Sequence, residues 1–117
     1  MCGRFVIAKT TDFITELFEI DELETQADFR SYNIPPTTQI PMIVEREIDG
    51  RPSRQLHAAR WGLIPSWAKE VSTTPLINAR IESVLDKPSF QESALSKRCA
   101  IPADGYFEWQ STVPDSK

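Results

Sequence analysis

The chain has 117 residues, with thirteen Lys and Arg against seventeen Asp and Glu for a formal net charge of −4. That length allows one domain or part of one, and the acidic balance argues against a protein held on nucleic acid by bulk positive charge, while leaving room for a local basic groove. Hydrophobic residues at 40% suffice for a core, no apolar run reaches the length of a membrane span, and the first ten residues lack the apolar stretch of a signal peptide, so a cytoplasmic protein with no membrane partner is expected.

In chain order, residues 4–8 (Arg-Phe-Val-Ile-Ala) form a short apolar strand close to the amino terminus. Thr10 or Thr11 caps a helix running to about Leu23. Phe13, Ile14, Leu17 and Phe18 lie on one buried stripe of it, and Glu16, Glu19, Asp21, Glu22 and Glu24 on a solvated remainder. Tyr32-Asn33-Ile34-Pro35-Pro36-Thr37-Thr38 is stiff, because each proline moves its predecessor out of the helical region. Residues 39–48 are strand-like and lead into Asp49-Gly50, a strong hairpin signal, with a return strand at about Arg54–Trp61.

Gly62 to Lys69 reads as a loop with room for one helical turn, followed by a short segment over 75–82. Pro88 suits the first turn of a short helix that carries Phe90, Ala94 and Leu95 inward. Cys99-Ala100-Ile101 and Tyr106-Phe107-Glu108-Trp109 are strand-like pieces joined by Pro102-Ala103-Asp104-Gly105. The predicted class is α+β: one β-rich domain over residues 1–117, with a curled antiparallel sheet and a few helices. Trp61, Trp109 and Cys99 are expected in the core. Arg30, Arg46, Arg51 and Arg54 are expected on the exposed face, and His57 on a strand or the surface.

Two cysteines, Cys2 and Cys99, are too few for a disulfide framework and point to reduced thiols. Cys2 is the more informative. Removal of Met1 would leave it with a free α-amine beside its thiol. The amine titrates near pH 8 and has an appreciable neutral fraction at neutral pH. Such a 1,2-aminothiol captures an aldehyde: the amine forms a Schiff base, and sulfur then closes a five-membered thiazolidine with the advantage of an intramolecular step. Against this, a terminal cysteine can simply be frayed, but the apolar strand directly after Gly3 ties the terminus down.

Five blocks stand in order along the chain: Met1-Cys2-Gly3-Arg4-Phe5; Tyr32 to Thr37; Trp61-Gly62-Leu63-Ile64-Pro65-Ser66-Trp67-Ala68-Lys69; Asn78-Ala79-Arg80-Ile81-Glu82; and Arg98 to Trp109. Together they resemble the SRAP family, the SOS response-associated peptidases, over residues 1 to about 110, roughly the first half of that domain. The resemblance implies single-stranded DNA with abasic sites as partner, shielding of the lesion by a covalent thiazolidine through Cys2, self-removal of Met1, and a cytoplasmic protein that joins the nucleoid when bound to DNA. It implies no cofactor and no metal.

By the same resemblance, Asn78 hydrogen-bonds the sugar or the adduct, and Glu108 moves protons for ring opening and Schiff-base chemistry. Arg4 and Arg80 would pair with phosphates, and Trp67 would stack on or wedge against a base, with Asn33 and Pro36 also on the DNA side. Ala68 follows Trp67 where some relatives carry a second aromatic. The family's catalytic histidine lies further along the domain, so an incomplete site and exposed apolar sheet edges are expected in this chain. Two other functions are compatible with parts of the sequence. A Cys2-dependent amidotransferase would release ammonia from glutamine, but it leaves the tryptophan-rich blocks unexplained. A non-catalytic single-strand binding module would bind salt-sensitively without Cys2.

Overall fold

Over residues 2–112, the span that the computed structural model describes, the elements are β1 (Phe5–Ile7), α1 (Thr11–Leu17), β2 (Glu22–Leu23), β3 (Ser31–Ile34), β4 (Gln39–Ile48), β5 (Arg51–Arg60), α2 (Pro88–Ser96) and β6 (Gly105–Tyr106). The fold is α+β, mostly sheet with two helices, and its strands divide into two three-stranded sheets ordered β3-β1-β6 and β2-β5-β4.

The hairpin of β4 and β5 is the longest feature. Asp49 and Gly50 both take left-handed backbone, φ 51° and 77°, the conformation of a two-residue turn whose twist matches that of its strands. Pairing then runs without a break from Ile48↔Arg51 to Gln39↔Arg60. The return strand therefore begins three residues earlier than its sequence suggests, because so tight a turn leaves no slack. Antiparallel pairs alternate between bonded and non-bonded, so Pro41 and Pro52 fall at non-bonded positions, where a missing N–H costs no bond to the partner strand. Ile43 shares that parity, and its outward backbone groups exchange two bonds with Ala100, at 2.8 and 2.9 Å. This isolated bridge is all that forms of the strand expected at Cys99–Ile101.

Helix α1 starts where predicted, with Thr10 Oγ1 accepting from the Phe13 N–H. It stops at Leu17, six residues early. Glu19 takes φ 52°, the Glu19 N–H donates to the Glu16 carbonyl, and the Ile20 N–H donates to the Thr15 carbonyl. These two bonds are the Schellman pair that ends a helix, here built on a glutamate rather than a glycine. Beyond it, the Asp21 and Glu24 N–H groups donate to the carbonyls of Arg54 and Leu56, which draws Glu22–Leu23 into parallel pairing with β5.

Arg54, expected as a solvated side chain, fastens this corner. Its guanidinium donates to the Phe18 carbonyl at 2.6 Å and twice to Glu45 Oε1, while its backbone N–H donates to Asp21 Oδ2. A cation at the carbonyl end of a helix is favourably placed. The Glu45 bond and the neighbouring carboxylates raise its pKa further.

Phe5, Ile7, Ile14, Phe29, Ile34, Ile40, Ile43 and Leu56 form the core, with Cys2, Phe18, Ile20, Ala58 and Trp61 half-buried against it. The Trp61 and Phe5 rings meet edge to face at 5.2 Å, joining the two sheets. Several expected core residues lie outside. Leu17 of the α1 stripe is 61% exposed and Phe13 46%, since the shortened helix buries only Ile14. Helix α2 begins with Pro88 as expected but has no buried residue. Phe90 and Ala94 are half-buried while Leu95 points to solvent. Cys99 is exposed. Trp109 is 98% exposed, because β6 ends at Tyr106 and the chain beyond it forms the wall of a cleft.

Candidate functional site

The short first strand is the middle strand of its sheet. β1 pairs antiparallel with β3 (Phe5↔Ile34) on one side and with β6 (Phe5↔Tyr106, Val6↔Gly105) on the other. Past β6 the pairing continues for one more bond, from the Phe107 N–H to the Arg4 carbonyl at 3.0 Å. The Cys2 thiol donates to that same carbonyl at 3.6 Å, and Cys2 is half-buried. Cys2 is thus held by the strand that follows it.

This pairing opens a cleft of about 730 Å³ lined by Gly3, Arg4, Asn33, Phe107, Glu108 and Trp109. Three residues singled out in the sequence, Arg4, Asn33 and Glu108, meet there, next to the backbone of Cys2. Arg4 Nη1 donates to Asn33 Oδ1 at 3.2 Å, so the amide of Asn33 orients the guanidinium rather than making a local turn bond. Pro36 is half-buried in the turn after β3, where Thr37 takes φ 71°. That turn is pinned to the end of β5 by bonds from the Thr37 N–H to the Trp61 carbonyl and from the Trp61 N–H to the Thr38 carbonyl.

The other predicted residues lie elsewhere. Asn78 and Arg80 line a separate pocket of about 480 Å³ with Val84, Lys87 and Phe90, and are not among the residues of the Arg4–Glu108 cleft. Trp67 is 63% exposed at the tip of a turn closed by the Ala68 N–H on the Pro65 carbonyl, with no helical turn around it. The neighbouring Ser66 hydroxyl donates to Glu92 Oε2 of α2 at 2.5 Å, and Lys97 Nζ lies 3.1 Å from the other oxygen of that carboxylate. Those two partners hold Glu92 below the usual carboxylate range, Ser66 contributing most.

His57 is engaged within the hairpin. Its Nε2 is 2.9 Å from Gln55 Oε1, and Gln55 in turn donates to Glu22. Cys99 borders a shallow pocket with Phe18, Ile43 and Val44, and partial burial of its thiol pushes its pKa up. Among the described residues no cluster of three or more His, Cys, Asp or Glu side chains could hold a metal ion. Met1, on which the expected self-cleavage falls, lies outside the described residues.

Two polar residues that shape these sites carry no signal in the sequence alone. Glu92 reads as an ordinary exposed helix position. Asp104 reads as a turn residue before Gly105, yet its carboxylate accepts from the Ala8 N–H at 2.6 Å and its own N–H donates to the Val6 carbonyl at 2.8 Å.

The profile of the family described as SOS response associated peptidase (SRAP) matches residues 1–117. The chain is 43% identical over 119 residues to abasic site processing protein YoqW of Bacillus subtilis strain 168, a match covering 100% of this chain and 51% of that protein. To abasic site processing protein HMCES of Rattus norvegicus it is 37% identical over 89 residues, covering 68% of this chain and 25% of that one. The chain spans about half the length of the Bacillus relatives it matches. An X-ray crystal structure of a Bordetella bronchiseptica protein shares its fold, with a TM-score of 0.65 at 22% identity over 88% of this chain and 48% of that one. A family profile along the whole chain, and relatives above 40% identity over its full length, establish that the chain belongs to the SRAP family.

Proposed function

We propose that the chain binds single-stranded DNA and shields abasic sites in it through a covalent thiazolidine at Cys2, formed once Met1 has been removed by self-cleavage. The observation that carries this reading is the β1–β6 pairing, which brings the amino-terminal strand and Glu108 to one cleft. The names of its relatives, abasic site processing proteins, support the same lesion as target.

The chemistry follows from the groups at hand. A ring-opened abasic sugar presents an aldehyde. The α-amine of processed Cys2 adds to that carbon, and loss of one water gives the Schiff base. The Cys2 sulfur then adds to the same carbon while its proton ends on nitrogen, so the adduct forms with net loss of one water and no redox change. Glu108 serves as the acid–base group, donating to the departing hydroxyl and accepting a proton from the attacking amine. Arg4, oriented by Asn33, takes a phosphate beside the lesion. Pro36, at the turn that follows β3, also meets the strand in this reading.

Asn78 and Arg80 bind sugar and phosphate from the second pocket, and the exposed Trp67 ring stacks on a base, so the strand runs across both regions. The test is incubation of the processed protein with single-stranded DNA carrying one abasic site, read on a denaturing gel. Wild type gives a slow-migrating band, Cys2→Ala gives none, and Glu108→Gln forms it about 10²-fold more slowly. A band of equal intensity from Cys2→Ala, or none from wild type, refutes the reading.

A further inference from the structure

The cleft depends on a weak strand. β6 is two residues long and stands at the edge of its sheet. A strand this short supplies few ladder bonds, and a slip of one residue exchanges the two faces of everything that follows. For Glu108 such a slip would replace the arrangement in which it lines the same cleft as Gly3 and Arg4.

What opposes the slip is visible at the two ends of the pairing. At one end the Phe107 N–H donates to the Arg4 carbonyl. At the other, Asp104 bonds to Val6 of β1 and to Ala8 just past its end, its carboxylate accepting from the Ala8 N–H and its N–H donating to the Val6 carbonyl. The backbone bonds have no memory of register, since every non-proline residue offers the same N–H and C=O. The bond to Ala8 is different. Its acceptor is a side chain, and the residues on either side, Ala103 and Gly105, have none to offer.

We infer that Asp104 is a positioning residue for the proposed chemistry: its side-chain bond to Ala8 sets the register of β6 on β1 and so brings Glu108 to the cleft that Gly3 and Arg4 line. The inference rests on the Cys2–Glu108 reading for its functional consequence but not for its structural one. The acceptor need not be charged, because its partner is a backbone amide, so an asparagine carbonyl serves equally.

The experiment compares wild type, Asp104→Ala and Asp104→Asn in three measurements. These are the rate of covalent capture of abasic single-stranded DNA, the affinity for the same strand without the lesion, and amide hydrogen exchange at Ala8 and Phe107. Asp104→Ala slows capture about 10²-fold, the scale of a misplaced reacting group, changes affinity for the intact strand less than twofold, and speeds exchange at Phe107. Asp104→Asn stays within about threefold of wild type in capture and keeps Phe107 protected, an expectation that holds whether or not the alanine variant folds. The inference is overturned if Asp104→Asn is as slow as Asp104→Ala, or if Asp104→Ala retains both capture and Phe107 protection. Wild type that forms no adduct at all refutes the Cys2 chemistry instead, and the exchange data then still decide the register.

Discussion

Replacing Glu19 with glycine stabilises the fold. Glu19 occupies the left-handed position of the Schellman pair that ends α1, at φ 52°. For an L-residue that conformation costs about 1–2 kcal/mol, whereas glycine adopts it freely and gives back roughly 0.5–1 kcal/mol through its greater freedom in the unfolded chain. Two electrostatic effects oppose each other. The exposed Glu19 carboxylate attracts the Arg54 guanidinium, but it also faces the negative end of the helix. The net gain is about 0.5–1 kcal/mol, which for a chain of this size raises Tm by roughly 2–6 °C. Thermal and urea unfolding measure it, with an unchanged urea slope as the sign that only stability moved. Asparagine, which tolerates this region, falls between glutamate and glycine, and valine falls below glutamate. A Glu19→Gly variant with unchanged or lower Tm, beside a Glu19→Val variant equal to wild type, refutes the left-handed assignment.

Leu56, fully buried opposite Ile43 and Leu23, is the residue whose truncation harms the fold most: Leu56→Ala costs about 2–5 kcal/mol, read as a shift of the urea midpoint. The carboxylate of Glu92 has its pKa lowered by Ser66 and Lys97, so the stability it contributes is full above the ordinary glutamate pKa and is lost as pH falls through its lowered value. Acid titration therefore loosens the Trp67 loop in wild type, and Ser66→Ala moves that change toward the ordinary glutamate range, as followed by NMR of the Trp67 indole. Cys99, whose thiol pKa is raised by partial burial, is alkylated by iodoacetamide at pH 8 more slowly than a free cysteine, and the gap narrows as pH rises. Equal rates at pH 8 contradict that burial.

The hairpin was legible because its information is local. Asp49-Gly50 supplies two residues suited to positive φ, and the flanking strands then have a single register. Pro88 marked α2 for the same reason. The end of α1 was not legible, since residues 18–22 contain neither glycine nor proline. It is a Schellman pair built on Glu19, and the chain leaving it is held by bonds to Arg54 and Leu56, more than thirty residues away. Arg54 shows the same limit. On a strand it reads as one more surface cation, and only the fold brings it to the carbonyl of Phe18.

For the candidate site, layout was the part that the sequence did not carry. Motif order singled out Cys2, Arg4, Asn33 and Glu108, and pairing of β1 with β3 and β6 gathers the last three around one cleft, with the Cys2 thiol on the Arg4 carbonyl. Nothing local says that Asn78 and Arg80 face a different pocket. Trp109 stands on an expected strand with apolar neighbours and so reads as core, but the pairing that would enclose it ends at Tyr106. Asp104 stayed hidden because its partner, Ala8, is a backbone amide distant in sequence.

The proposed covalent link is carried by Cys2 once Met1 has been removed. Its most direct test is to trap the protein on abasic single-stranded DNA without reductant, digest with trypsin and nuclease, and locate the sugar remnant by mass spectrometry. The remnant is expected on the peptide Cys2-Gly3-Arg4, lacking Met1, with a mass equal to peptide plus sugar minus one water and stable to hydroxylamine. A remnant on Lys9, Lys69, Lys87 or Lys97, seen only after borohydride reduction, contradicts it.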